Sequence, residues 1–288
     1  MSVLALYAAR CAAWLWRFGT VRLAARLCES VGRPCLTHRS FAGRRLHLDV
    51  SRSVTHALLY LEGERLVGER RLLARLVKPG MRIVDVGANI GYYVLLLEKL
   101  AGPSARIVAI EPSPENLPEL RLNIERNGLR NVRLLEVAAG AADSVGGLLG
   151  GINSGVVARG AGAYEVSVRP LDELLTEPVD FLKIDVDGFE GQVLEGAQRI
   201  LERDRPILFL EFHPELVSRV GHSFESIRAQ LARTYDSIQY FDLPDRVPLL
   251  KKIATRYLGA EECRELAEPP SEPMHLGRQY GTFWIVCR

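Results

Sequence analysis

Four apolar runs of the chain end alike: IVDV, IVAIE, FLKID and ILFLE each deliver an acid (Asp85, Glu111, Asp185 and Glu211) at the carboxyl end. Short apolar runs bounded by turn signals mark strands buried on both faces, as in parallel sheets covered by helices. From about residue 80 such runs alternate with longer segments of helical periodicity, so the chain reads as one doubly wound α/β domain. In open parallel sheets, ligands bind in the crevice outside the carboxyl ends of the strands. Carboxylates are costly to bury without partners, so an acidic crevice suits a ligand carrying positive charge and hydroxyl donors. Taken singly, each acid also has a plainer reading as a helix cap or salt-bridge partner.

The expected elements follow from pattern and punctuation. Arg82 to Val86 reads as the first strand, Ile90 to Leu100 as the next helix, and Arg106 to Glu111 as the second strand. Ser113 is a candidate cap for a helix with Pro114 at its first position, ending at Asn127-Gly128. Val132 to Ala138 reads as a third strand. Residues 143 to 162 hold seven glycines and no sustained period, so they read as a mobile loop crossing at most a short strand pair. Tyr164 to Val168 is an extra strand, Asp180 to Val186 a strong one, and Gly188 to about Leu201 the helix after it. Ile207 to Phe212, Ser237 to Phe241 and Thr282 to Cys287 complete the strands.

The segment VDVGANIGYY carries the most chemistry. Gly87 and Gly91 allow a tight turn and close backbone approach, and the following helix aims its free N–H groups at the same spot. A dinucleotide fold would place G-x-G-x-x-G there for a pyrophosphate. Here the spacing is G-x-x-x-G, and Asp85 two residues upstream would repel a diphosphate. It could instead hold the cationic amino-acid end of S-adenosylmethionine, which combines a sulfonium, an amino group and a ribose diol. Glu111, 20 residues beyond Gly91, stands where an acid accepts both ribose hydroxyls. The cofactor set is therefore Asp85, Gly87, Asn89, Gly91 and Glu111, with Ala138 small enough to let the adenine ring lie against backbone.

VDVGANIGYY, IEPSPEN, LDELL, KIDVDGFEGQVLEGA and LEFHPE resemble the successive motifs of FkbM-type methyltransferases over roughly residues 60 to 241. The resemblance implies a class I methyltransferase (Rossmann-like) sheet, mostly parallel with an antiparallel C-terminal strand. It also implies S-adenosyl-L-methionine as cofactor and O-methylation of a hydroxyl on a sugar, glycan or natural product. The family's KIDVEG reads KIDVDG here, with Asp187 one methylene shorter than Glu. The expected division is an N-terminal helical extension over 1–55 and the methyltransferase domain over 56–288.

Methyl transfer to a hydroxyl calls for a base. Asp185 or Glu190 is expected beside the acceptor, with Glu211 and His213 at the adjacent strand end, and His213 as an alternative base. Asp185, Asp187, Glu190, Glu211 and His213 could instead hold Mg²⁺, but strand neighbours alternate faces and Lys183 can pair with Asp185, so no metal is expected. The competing functions are a silent donor-binding module and a nucleotide-dependent oxidoreductase, the latter disfavoured by the glycine spacing. The acceptor walls are expected in the glycine-rich stretch, with Asn153-Ser154-Gly155, and in the long tail insertion.

A net charge of +2 over 288 residues gives no reason to invoke nucleic acid. Five scattered cysteines without a CxxC pair argue against a disulfide framework and fit a reducing, cytoplasmic setting. Residues 1 to 28 hold four arginines and no acid, with Leu4, Tyr7, Cys11, Leu15 and Phe18 at helical spacing. This amphipathic helix packs on its own domain, or lies on an anionic membrane at the inner face, or targets or oligomerises the chain. It is too short an apolar run to span a bilayer, and no charge precedes it as in a secretory signal. Oligomeric state is open.

Overall fold

The computed structural model of the chain describes residues 3–63, 67–150, 155–242, 265–266 and 283–288. Asn153, Ser154 and most of the tail insertion lie outside these residues, as do the side chains of Leu4, Tyr7 and Cys11.

The strand-forming runs assemble into one eight-stranded sheet. Its elements are β3 (Arg82–Val86), β4 (Arg106–Ile110), β5 (Val132–Leu135), β10 (Phe181–Ile184), β11 (Ile207–Phe212), β12 (Ile238–Asp242), β13 (Glu265–Leu266) and β14 (Phe283–Cys287). The order is β13-β12-β14-β11-β10-β3-β4-β5. β5, β4, β3, β10 and β11 are parallel, and β14 runs antiparallel between β11 and β12. This is the mostly parallel doubly wound sheet, with its antiparallel C-terminal strand, that the sequence implies. Side-chain alternation splits each strand between two cores. Phe181, Phe209 and Trp284 pack on one face, and Leu182, Leu208, Leu210 and Ile184 on the other. The chain reverses order between β3 and β10, and that is where a doubly wound sheet opens its crevice.

α4 (Tyr92–Ala101) follows β3, and α5 (Leu117–Arg126) follows β4. α5 starts later than expected. Asn116, not Ser113, is its N-cap, and the Ser113 amide donates instead to the Glu111 carboxylate. The expected stop at Asn127 is met. The expected third strand divides: after β5, the chain leaves the main sheet and Ala138–Ala139 form β6 of a second one.

The glycine-rich stretch is more ordered than a loop. β7 (Ser144–Leu148) pairs antiparallel with β9 (Tyr164–Arg169) and with β8 (Val156–Val157), giving a second sheet of order β6-β9-β7-β8. Gly146 and Gly147 leave room for the side chains and backbone of β8, so the composition that suggested a loop reflects close strand packing. After α6 (Leu171–Leu174) and β10, the expected single helix is two, α7 (Glu190–Glu195) and α8 (Gln198–Asp204). The Asp172 carboxylate caps α8 by accepting from the Arg199 and Ile200 amides, both 2.9 Å away. α9 (Pro214–Arg219) and α10 (Phe224–Leu231) lead to β12.

The N-terminal region is helical only in part. α1 (Val3–Ser30) is followed by a hairpin of β1 (Leu36–Phe41) and β2 (Arg44–Asp49), then α2 (Val54–Glu62) and α3 (Val67–Leu76). Ala42 and Gly43, at φ of 49° and 78°, make the two-residue turn that such hairpins favour. β2 is tied to α5: the His47 amide donates to Asn123 Oδ1 at 2.6 Å and the Asp49 amide to Glu119 Oε2 at 2.8 Å. Cys28 and Cys35, far apart in pattern, meet across the α1–β1 turn as free thiols.

Candidate active site

The glycine loop is clamped between two strand ends. The Gly87 and Ala88 amides both donate to the Ile110 carbonyl at 3.0 Å. Gly87 sits at φ 79°, and a Cβ there would overlap the Asp185 carbonyl oxygen, so this position excludes every other residue. Asn89 is also left-handed, at φ 50°. Gly91 caps α4 at φ 91°, leaving the first amides of that helix facing the loop.

Glu111, just past β4, is buried with its carboxylate turned to the loop. Oε2 accepts the Asn89 amide at 2.7 Å; Oε1 accepts the Ser113 amide at 2.9 Å and Asn116 Nδ2 at 3.2 Å. Burial pushes its carboxyl above the usual range, against the pull of these donors. Asn116 is itself oriented by Arg52, whose Nη2 donates to Asn116 Oδ1 at 2.9 Å while Nη1 binds Glu119. Sequence reasoning missed this brace, because Arg52 lies outside every motif. Ser113 Oγ, beside Glu111, is buried without a hydrogen-bond partner. Ala138 is buried too, in β6 rather than on the main sheet.

Asp85 is placed differently from expectation. It is fully buried and opposite Lys183 in the β3–β10 register, with Lys183 Nζ 2.9 Å from Oδ1. Nζ also lies 3.6 Å from Asp185 Oδ2 and 4.3 Å from the centre of the Tyr93 ring. Asp85 therefore meets an ammonium behind the loop rather than an open crevice. Burial works against the Lys183 charge, but Asp85, Asp185 and Glu211 outweigh it and hold the ammonium protonated.

The expected cluster does assemble. β10 and β11 are parallel neighbours, and the Ile184–Leu210 register carries Asp185 alongside Glu211. One ligand atom each from Asp185, Glu211 and His213 falls within 4.8 Å of the others. His213 Nδ1 lies 2.8 Å from Glu190 Oε1; its Nε2 is 3.7 Å from Glu211 and 3.8 Å from Asp187. Burial disfavours the imidazolium, yet the Glu190 hydrogen bond and the charges of Glu211, Glu190 and Asp185 raise its pKa to about 10. These charges favour the protonated form of the histidine that the sequence offered as an alternative base. Glu190 is wholly buried; its Oε1 also accepts from the Gly188 amide, at 3.1 Å, and its Oε2 is buried without a hydrogen-bond partner. Asp185 keeps 18% of its side chain exposed. Asp187 and Gly188 turn tightly, at φ 48° and 103°, and a Cβ on Gly155 would come within 3.1 Å of the Asp187 carbonyl. The second sheet thus reaches the edge of the cluster.

Comparison with known proteins gives this site its family. The model of the methyltransferase FkbM domain matches residues 85–237. Protein-L-isoaspartate O-methyltransferases are 34% identical over 59 residues (Methanothrix thermoacetophila) and 41% over 63 residues (Aeropyrum pernix). Those matches cover 20% and 22% of this chain, which spans only 28% and 24% of the relatives' lengths. A crystal structure of methyltransferase FkbM from Methylobacillus flagellatus KT is 15% identical at TM-score 0.48, covering 96% of this chain and 60% of that one. M. jannaschii TYW2 in complex with AdoMet is 14% identical at TM-score 0.48, covering 89% and 87%. With the family model spanning more than half its length, the chain belongs to the FkbM methyltransferases, a family of S-adenosylmethionine-dependent enzymes.

Proposed function

We propose that this chain transfers the methyl group of S-adenosylmethionine to a hydroxyl on a sugar, glycan or natural-product acceptor. The observation that carries the reading is that Asp185 joins the two halves of the site. Its carbonyl packs under Gly87 of the glycine loop, and its partly exposed carboxylate lies with Glu211 and His213.

The residues present fit the donor. Glu111 and the unpartnered Ser113 hydroxyl would take the ribose, while Gly87, Asn89 and Gly91 bring backbone close and Ala138 leaves room for the base. Asp85, Glu111, Asp185, Asp187, Glu190 and Glu211 outnumber the Lys183 and His213 cations, which favours a sulfonium. Asp85 acts through Lys183, setting charge behind the loop. When bound, S-adenosylmethionine supplies an electrophilic methyl carbon, whose bond to sulfur breaks as the acceptor oxygen bonds to it, leaving a thioether and one proton. Asp185 takes that proton. The oxygen turns strongly acidic only as its bond to carbon forms, so proton uptake can accompany bond formation rather than precede it. Glu190 is a positioning residue that holds the His213 imidazolium. β7 to β9, with Gly155 against Asp187, form one wall for the acceptor.

The test is transfer from labelled donor to a panel of glycans, natural-product alcohols and an isoaspartyl peptide. Asp185→Asn is expected to lower turnover about 10²–10⁴-fold with donor affinity kept. Methylation of the isoaspartyl peptide alone would overturn the acceptor class. Full activity in Asp185→Asn would remove Asp185 as base, and no transfer to any acceptor despite tight donor binding would favour a silent donor-binding module.

A further inference from the structure

α1 carries apolar side chains on two opposite faces. At about 100° per residue, Phe18, Val21 and Ala25 share the side turned to the body, whereas Trp16, Leu23 and Leu27 fall within roughly 40° of one another on the other side. Ala25 is fully buried and Val21 packs on the core, but Trp16 is 76% exposed and Leu23 and Leu27 are each 60% exposed. Single exposed apolar side chains are ordinary, whereas a contiguous set marks an interaction surface.

Charge identifies the occupant. Arg26 borders the outer face on one side and Arg17 on the other, both exposed, while Arg22 is half-buried nearer the body, and no acid occurs from Val3 to Leu27. A second copy of the same helix offers these arginines no counter-charge; a layer of anionic lipid headgroups does. Tryptophan and leucine facing outward between arginines are the composition of a helix that lies in the membrane interface. Among the described residues, no helix is long and apolar enough to cross a membrane. We infer that the outer face of α1 seats this chain on an anionic lipid surface, with Trp16, Leu23 and Leu27 in the acyl boundary and Arg17 and Arg26 at the headgroups. α1 leads into the β1–β2 hairpin, which is bonded to α5 beside Glu111, so a seated α1 gives the crevice a defined orientation to the bilayer. The inference is independent of the chemistry proposed for the site.

Co-sedimentation of the full chain with phosphatidylcholine vesicles, with and without phosphatidylglycerol, tests it. Binding is expected on the anionic vesicles only and falls as salt is raised. Leu23→Ser/Leu27→Ser is expected to weaken it tenfold or more, and Arg17→Gln/Arg26→Gln to do the same on anionic vesicles. These side chains are exposed, so melting temperatures stay unchanged; a large drop would show the face packed on protein and overturn the inference. Equal binding to both vesicle types, no binding to either, or a dimer that Leu23→Ser/Leu27→Ser dissociates without vesicle binding would each overturn it as well.

Discussion

Lys183→Met nearly keeps the length of its side chain and removes a charge from a place with no solvent access. The ammonium lies 2.9 Å from Asp85 Oδ1, and at an effective dielectric of ~20 their attraction is about 6 kcal/mol before desolvation is subtracted. Stripping one partner from a buried pair leaves an uncompensated charge and costs about 3–5 kcal/mol. That is a large share of the ~5–15 kcal/mol that holds a domain folded, and lowers the melting temperature by roughly 10 °C. Lys183→Met/Asp85→Asn removes both charges and recovers at least half of the loss. The pH dependence carries a second signature. Burial already pushes the Asp85 carboxyl up against the pull of Lys183, and loss of Lys183 pushes it further. A carboxyl whose folded pKa exceeds its unfolded value costs stability as pH rises through the folded value. The deficit of Lys183→Met is therefore smallest in acid and largest at neutral pH. Urea melts of the wild type, both single variants and the double variant across pH 5 to 8 measure all of this. A loss below about 1 kcal/mol in Lys183→Met, or a double variant no better than the single, would refute the buried-pair account.

Glu111→Gln weakens donor binding by tenfold or more in calorimetry, since hydrogen bonds to a charged acceptor contribute about 1.5–3 kcal/mol each. Its melting temperature falls, because both carboxylate oxygens accept backbone amides and the Gln Nε2 leaves one of those buried donors without an acceptor. Arg52→Met loosens Asn116 and weakens donor affinity severalfold with kcat nearly kept, read from donor titrations and initial rates. His213, raised from 6.5 to about 10, contributes stability that is complete below pH 6.5 and lost as pH rises through about 10. Thermal melts from pH 6 to 10.5 should show that alkaline slope in the wild type and not in His213→Gln. Gly87→Ala forces a Cβ into the Asp185 carbonyl at a left-handed φ, and is expected to abolish donor binding or folding, read by calorimetry and circular dichroism.

Local chemistry made much of the fold legible. The runs ending in Asp85, Glu111, Asp185 and Glu211 are strands because they are apolar on both faces, and their acids gather because parallel strands end on one side. The tight turn at Gly87 and the position of Glu111 beside the loop were readable from spacing alone. Gly146 and Gly147 misled, because glycine signals both a loop and a strand that another backbone approaches closely; only the β7–β8–β9 packing separates the two. The 188–201 segment misled for a related reason: its periodicity is continuous, but Asp172, distant in sequence, caps a second helix within it.

Composition and order of residues determine by themselves the doubly wound sheet, its acidic carboxyl edge, the glycine loop and the family. These depend on interactions with a fixed period or offset along the chain, such as strand alternation and the turn chemistry of glycine. Only the tertiary structure decides which charge meets which. Lys183 goes to Asp85 as well as Asp185, the carboxylates around His213 stabilise its imidazolium, and Arg52 braces Glu111 through Asn116. Charge strength depends on separation in space and on excluded water, and neither quantity is written in the spacing of a sequence.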